Sequence, residues 1–240
     1  MGSGDVPSKL AELRSIPRAF VPGAPSAEPF ELPGEELDKF RKVLRLSTGD
    51  EVAVLPNDGS LIVCVLDGRR VIPQQIIWPE TESTFKLTIA QALPKGDKLD
   101  EIVRACTSIG VAGFALFHSD RTVVRWDEEK LTARVRRLEA IAREAAEVSF
   151  RVRLPEFTVF ADLASVISSV PDAVVLSESQ RVTEGLRRVE SPMTAVIGPE
   201  GGWSPREFEI IGDRGVTLGP RVLRVDHAAA AAAAILLLGA

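Results

Sequence analysis

Two glycine-marked segments near the C-terminus contain the residue types best suited to binding a small molecule. The first, 197–207, reads Ile-Gly-Pro-Glu-Gly-Gly-Trp-Ser-Pro-Arg-Glu and follows a short apolar run. Ser204 as N-cap, Pro205 as first helical residue and Glu207 in a capping box predict a helix start. Glycines let backbone groups approach a ligand closely. Since the spacing is neither Walker A nor G-x-G-x-x-G, a phosphate cradle is disfavoured, and a plain strand-to-helix turn is the alternative.

The second segment, 218–227, reads Leu-Gly-Pro-Arg-Val-Leu-Arg-Val-Asp-His and directly precedes an alanine run. Open α/β sheets bind ligands at the carboxyl ends of their strands, and this segment follows a predicted strand. Arg221 and Arg224 would place two positive charges there. A solvated, charge-decorated loop is the alternative. His227 is either a proton-handling group or a helix-start residue without a chemical role.

The elements that must position these segments form two groups. Residues 1–82 predict a small β-rich unit, a partly closed barrel, because short apolar runs alternate with turn residues. A helix is expected at 34–45, where Leu37, Phe40, Val43 and Leu44 share one face at helical spacing. The predicted strands are 18–21, 51–55, 61–66 and 71–78.

From residue 83 onward, strands alternate with helices, which favours a mostly parallel α/β sheet. The alanine run 228–234 is a strong helix former. The predicted helices are 97–109 and 127–148, and the predicted strands are 85–91, 113–118, 172–176, 194–197 and 215–218.

Composition restricts the class of protein. The 240 residues are 45% hydrophobic and 26% charged, which excludes intrinsic disorder as the main state. Two cysteines and two histidines, all distant in sequence, cannot build a local metal cluster. No apolar stretch follows Met1, and the longest uncharged apolar run, 228–240, is too short to cross a bilayer. A cytoplasmic protein without metal or membrane contact is expected.

Several motifs, in order along the chain, resemble the small-subunit (16S) ribosomal RNA uridine-N3 methyltransferases of the SPOUT class. The glycine segments 198–207 and 218–224 carry the strongest similarity. Gln-Ala-Leu-Pro-Lys-Gly-Asp-Lys-Leu-Asp at 91–100, Glu-Ala-Ala-Glu-Val-Ser at 144–149 and Val-Leu-Arg-Leu at 43–46 are also similar. The resemblance covers nearly the whole chain.

The resemblance implies a PUA-like RNA-binding barrel at 1–82 and a trefoil-knotted α/β methyltransferase domain at 83–240. It also implies a homodimer that uses S-adenosylmethionine (SAM) and acts on ribosomal RNA or the small ribosomal subunit. The implied cofactor-binding residues follow three strands: Leu176; Gly198, Pro199, Glu200, Gly201 and Gly202; and Leu218, Gly219, Val222 and Leu223.

Methylation of uridine N3 requires a site that favours loss of the N3 proton. A guanidinium would stabilise the developing negative charge, so Arg224 is the first catalytic candidate and Arg221 the second. Glu200 is either a base, an orienting carboxylate or a cap for loop amides. The candidate RNA-binding residues are Arg18, Arg45, Lys95, Lys98 and Arg121.

The chain departs from the family pattern at several positions. Val225-Asp226-His227 replaces Thr-Glu-Thr, Phe150 replaces a glycine, and Asp38-Lys39 replaces a histidine pair. The net charge of −5 also lacks the basic excess typical of nucleic-acid binders. The alternatives are a non-catalytic RNA- or ribosome-binding protein and a methyltransferase for a different RNA. A nucleotide-binding oxidoreductase is discarded because the dinucleotide fingerprint is missing.

Overall fold

The structure, a computed structural model, describes residues 6–123, 126–179, 182–189 and 192–238, with side chains from residue 11 onward. The chain forms two compact units. The first is Met1–Glu82 with Ala146–Arg153, and the second is Ser83–Ala145 with Leu154–Ala240. A single boundary near residue 82 therefore leaves out the return of residues 146–153 to the first unit.

The first unit contains a five-stranded, curled half-barrel sheet in the order β1-β3-β4-β5-β2. β1 pairs with β3 in parallel, and the other pairs are antiparallel. Its core contains Phe40, Val54 and Ile62, all fully buried. The elements are α1 (Val6–Ser15), β1 (Arg18–Phe20), β2 (Phe30–Glu31), α2 (Gly34–Asp38), a π-helix (Lys39–Val43), β3 (Glu51–Leu55), β4 (Leu61–Asp67) and β5 (Arg70–Ile77).

The helix predicted at 34–45 is present over residues 34–43, but its second half is a π-helix and the predicted shared face is wrong. The α-helical turns of α2 give way to a π-helix, in which the amide of Leu44 donates to the carbonyl of Lys39, five residues earlier. The wider turn rotates the following residues around the axis. Leu37 and Phe40 are therefore buried as expected, whereas Val43 is 73% exposed and does not share their face.

Residues 146–153 are bound to the first unit by charged side chains. Glu147 accepts a hydrogen bond from the amide of Phe20 at 3.0 Å and forms an ion pair with Lys39. Arg151, with a 5% exposed side chain, pairs with Glu82 at 2.8 Å. These contacts join residues 146–153 to β1, to the π-helix and to Glu82, where the first segment of this unit ends.

Phe150 has a positive φ of 61° although it is not a glycine. Such a conformation costs about 1–2 kcal/mol for a residue with a Cβ. Burial of its ring and the guanidinium of Arg18, 4.4 Å from the ring centroid, offset that strain. The Arg18 side chain also donates to the carbonyls of Leu13 and Ile16. RNA contact by Arg18, which is itself 9% exposed, stays a prediction.

The second unit is a three-layer α/β structure. Its six strands are all parallel, in the order β11-β9-β10-β6-β7-β8, so the predicted parallel sheet is confirmed. The elements are β6 (Leu87–Ala92), α3 (Lys98–Ile109), β7 (Gly113–His118), α4 (Glu128–Val148), β8 (Glu156–Asp162), α5 (Leu163–Ser169), β9 (Val174–Leu176), β10 (Met193–Ile197), α6 (Pro205–Ile211), a 3-10 turn (Gly212–Arg214), β11 (Gly215–Val216) and α7 (Val225–Leu237).

Apolar side chains cover both faces of this sheet. One cluster joins Ile89 and Leu116 to the buried faces of α3 and α7, and the other joins Phe117 and Val196 to α5 and α6. The predicted alanine helix is confirmed as α7. The sequence interpretation missed β8, because this edge strand is mostly exposed and carries no buried apolar run. Over the described ranges, no helix combines the length and apolar character needed to span a membrane.

We predict that Glu147→Ala lowers the free energy of unfolding by about 1–3 kcal/mol, because the amide of Phe20 and the ammonium of Lys39 lose a buried acceptor. The matched control is Glu144→Ala, one turn earlier in α4. Glu144 pairs with Arg104 but is 65% exposed, against 10% for Glu147, so its loss costs less than about 1 kcal/mol. Urea denaturation measures both, and equal losses would contradict the structural role of Glu147.

Candidate active site

The candidate site lies at the carboxyl edge of the parallel sheet in the second unit. There the segments that follow β9, β10 and β11 enclose a pocket of about 290 Å³. Nine of the ten predicted cofactor-binding residues line it: Leu176, Gly198, Pro199, Glu200, Gly202, Leu218, Gly219, Val222 and Leu223. Gly201, the tenth, lies in the same loop but is not part of the lining. Arg121 and Arg221 also line the pocket, whereas Arg224 does not.

Residues 198–204 connect the fully buried strand β10 to α6 and are called the cofactor loop because the sequence resemblance predicts cofactor-binding residues in them. The capping box predicted at its end is confirmed. The amide of Glu207 donates to Ser204 Oγ at 3.1 Å, and the amide of Ser204 donates to Glu207 Oε2 at 2.9 Å. Pro205 is the first helical residue. These local interactions determine where the loop ends and α6 begins.

Trp203 ties the cofactor loop to the neighbouring strand. Its indole Nε1 donates to the carbonyl of Leu176, the last residue of β9, at 2.9 Å. The ring lies so close to Gly198 that a Cβ there would come within 3.0 Å of two ring atoms. Gly198 is therefore required by the packing of Trp203, while Gly202, at φ +67°, is required by the turn itself.

The carboxylate of Glu200 is occupied by hydrogen bonds and is not free to act as a base. Its Oε1 accepts a hydrogen bond from the amide of Lys95 at 3.1 Å and from Lys98 Nζ at 2.7 Å. Burial raises the pKa of Glu200, but the hydrogen bond from Lys98 and those from backbone amides outweigh it and lower the pKa below its usual value. The carboxylate is thus held ionised against the loop that follows β6.

Arg121, which follows β7, contacts the cofactor loop from another side. Its Nη1 donates to the carbonyl of Gly201 at 2.7 Å, and a Cβ at Gly201 would come within 3.3 Å of Arg121 Cβ. Three candidate RNA-binding residues, Lys95, Lys98 and Arg121, therefore border the cofactor loop. The other two, Arg18 and Arg45, belong to the first unit, where Arg45 is exposed with φ +58°.

Arg224 is oriented by a residue that sequence reasoning did not single out for this role. Its Nε and Nη2 donate to Asp226 Oδ1 and Oδ2 at 3.2 and 3.1 Å. Asp226 is 8% exposed and Arg224 63% exposed. Burial raises the pKa of Asp226, but the bonds from Arg224 lower it overall. The exposed imidazole of His227 lies 3.7 Å from the same carboxylate. The sequence did offer a signal for this pair, because Arg224 and Asp226 have opposite charges and lie two residues apart at a predicted helix start.

The sequence interpretation also missed part of the pocket lining. Ser177, Glu178 and Ser179 line it directly after β9, and the carboxyl-end rule for open sheets would have found them. Phe208 and Thr217 line it from α6 and the segment after β11. Within the described residues, no group of three or more His, Cys, Asp or Glu side chains is arranged to hold a metal ion.

We predict that Gly198→Ala lowers the free energy of unfolding by about 1–3 kcal/mol, because the new Cβ displaces the Trp203 ring. Gly185→Ala is the control. It meets no atom within 4 Å and is expected to change stability by less than about 0.5 kcal/mol. Chemical denaturation of both variants provides the comparison, and a Gly198→Ala protein as stable as wild type would show that the indole can shift without cost.

Comparison with known proteins gives the site a context. Residues 81–237 match the RNA methyltransferase domain family. Ribosomal RNA small subunit methyltransferase E of Bacillus subtilis (strain 168) is 32% identical over 223 residues, which cover 84% of this chain and 87% of the relative.

Two solved structures share the fold. A Legionella pneumophila protein, solved in complex with the bound cofactor SAM, gives a TM-score of 0.85 at 24% identity over 93% of this chain and 98% of that one. A ribosomal RNA small subunit methyltransferase E from Neisseria gonorrhoeae, bound to S-adenosyl methionine, gives 0.80 at 24% identity over 91% and 95%. With its family match extending over more than half of its residues, the chain belongs to the RNA methyltransferase domain family.

Proposed function

We propose that this protein is a SAM-dependent methyltransferase that methylates N3 of a uridine in small-subunit ribosomal RNA. The observation that carries the proposal is the pocket at the carboxyl edge of the sheet, lined by the segments after β9, β10 and β11 and bordered by Arg121 and Arg221. The names of the relatives support a ribosomal RNA substrate, and the SAM found in two solved neighbours supports the cofactor.

The residues of the pocket suit SAM by size and chemistry. The pocket volume of about 290 Å³ is close to the lower end of the range for small-molecule sites, roughly 300–1,000 Å³. Leu176, Leu218 and Leu223 provide apolar surface for an adenine ring. Gly198 and Gly202 expose backbone groups that can hydrogen-bond a ligand without interference from a Cβ. When bound, SAM supplies a methyl group on a positively charged sulfur. Transfer of that methyl group needs no metal.

The chain's own contribution is to favour the uridine anion and to position it. Arg224, with Arg221 as a second cation, is the proposed stabiliser of the negative charge that develops on the uracil ring as the N3 proton passes to water. The fork to Asp226 supports this role, because it restricts the guanidinium to one orientation before substrate arrives. For Glu200, the ion pair with Lys98 and the lowered pKa support an orienting role over that of a base.

RNA contact is proposed for Lys95, Lys98 and Arg121 in the methyltransferase domain, and for Arg18 and Arg45 in a PUA-like N-terminal domain.

The proposal includes a trefoil-knotted path through residues 83–240, a homodimer and a cytoplasmic location. Exposed apolar side chains at the end of α7 support self-association: Ile235 is 43% exposed and Leu238 is 67% exposed.

We predict that small ribosomal subunits lacking the modification gain 3-methyluridine when incubated with this protein and SAM. Nucleoside mass spectrometry measures the product. A different methylated nucleoside would contradict the N3 assignment. A protein that binds SAM and RNA but yields no methylated nucleoside, while a control enzyme is active, would favour a non-catalytic binding role.

We predict that Arg224→Ala lowers kcat by about 10²–10³-fold, the usual effect of removing a group that stabilises developing charge, and leaves SAM affinity unchanged. Arg104→Ala is the control, because Arg104 is an exposed ion-pair partner of Glu144 and does not line the pocket. Single-turnover kinetics and calorimetric SAM titration separate the two effects. Normal turnover in Arg224→Ala would refute its catalytic role.

A further inference from the structure

The carboxylate of Glu207 joins two loops whose strands do not touch. Glu207 is 1% exposed. Its Oε2 accepts from the amide of Ser204 in the cofactor loop at 2.9 Å, and its Oε1 accepts from the amide of Asp120, after β7, at 3.1 Å. β7 and β10 are separated by β6 in the sheet. One buried carboxylate therefore joins the loops that follow two strands that are not neighbours in the sheet.

The side chain of Asp120 makes further hydrogen bonds between the same two parts of the chain. Its Oδ2 accepts from Ser204 Oγ at 2.6 Å and from Arg206 Nε at 3.1 Å, while its Oδ1 accepts from Arg206 Nη2 at 2.7 Å. The bonds from Arg206 and Ser204 lower the pKa of Asp120 to about 2, so it is ionised at neutral pH. The start of α6 and the loop after β7 thus exchange hydrogen bonds in both directions.

This network contains more than a helix cap. A capping box needs only the N-cap residue and the third helical residue, here Ser204 and Glu207. The additional bonds between Asp120 and the start of α6 are not part of a capping box. They do, however, fix the residue next to Arg121, whose guanidinium bonds to the carbonyl of Gly201. The cofactor loop is consequently held at both its middle and its end by the 119–122 loop.

We propose that Glu207 and Asp120 are positioning residues, which hold the cofactor loop and the Arg121 loop in one arrangement before any ligand binds. The inference rests on the proposed function, since its purpose is a preformed SAM pocket. A buried carboxylate is tolerated only when its oxygens are satisfied, so arrangements that separate the two loops are disfavoured. Preorganisation of this kind reduces the ordering cost of binding.

The first test uses Glu207→Gln without ligand. The amide keeps the shape of Glu207 but has one acceptor oxygen, so one of the two backbone amides now faces an NH₂ group. Amide hydrogen exchange is expected to accelerate by about tenfold or more in residues 119–122 and 198–204 together. Asp58→Asn is the control: Asp58 also accepts a hydrogen bond from a backbone amide, that of Ser60 in the first unit, and its variant is expected to leave both loops unchanged. Faster exchange confined to α6 would overturn the proposal.

The second test is calorimetric titration of SAM. Glu207→Gln and, independently, Asp120→Asn are expected to weaken SAM affinity by about tenfold and to raise KM for SAM more than they lower kcat. Looser loops with wild-type SAM affinity would overturn the positioning role. If wild-type protein does not bind SAM, the proposed function fails, while hydrogen exchange in the two loops still decides whether Glu207 joins them.

Discussion

The parallel pairing of β10 with β9 on one side and β6 on the other is the constraint on which the candidate site depends. All five residues of β10 are buried, and its two neighbours run in the same direction. Their carboxyl ends must therefore meet at one edge, where Leu176, Gln91 and Ile197 end or nearly end their strands. Because a strand without exposed residues cannot slip in register without exposing apolar surface, the position of Gly198 follows directly from this core.

Four acidic side chains determine how the loops at this edge are arranged. Glu200, Glu207, Asp120 and Asp226 each accept hydrogen bonds from backbone amides, Lys or Arg, and each lies at the start of a helix or in a loop beside one. An ionised carboxylate stabilises such sites because charge-assisted hydrogen bonds are short and strong. Three of these carboxylates pair with cations: Glu200 with Lys98, Asp120 with Arg206 and Asp226 with Arg224. They are therefore not unpaired negative charges at this edge of the sheet.

In the first unit, the departures from the family pattern are neighbours in space. Lys39, at a position where the sequence resemblance predicts a histidine, pairs with Glu147, and Phe150, at a position where it predicts a glycine, packs under Arg18. The strained φ of Phe150 is compatible with folding because its ring is buried and covered by a guanidinium. These substitutions therefore act together on the packing of residues 146–153.

The sequence by itself determined the parallel α/β class, four of the five strands of the half-barrel and the capping box of α6, because these depend on apolar periodicity and local backbone chemistry. Most residues of the pocket were predicted by the family resemblance. The sequence did not reveal the π-helix at 39–43 or the exposed edge strand β8. Nor did it reveal the contact of Glu200 with Lys98 or that of Glu207 with Asp120. Lys98 and Glu200 lie 102 residues apart, and Asp120 and Glu207 lie 87 apart. Only the sheet order brings such residues together, and long-range ion pairs have no period that a sequence could display.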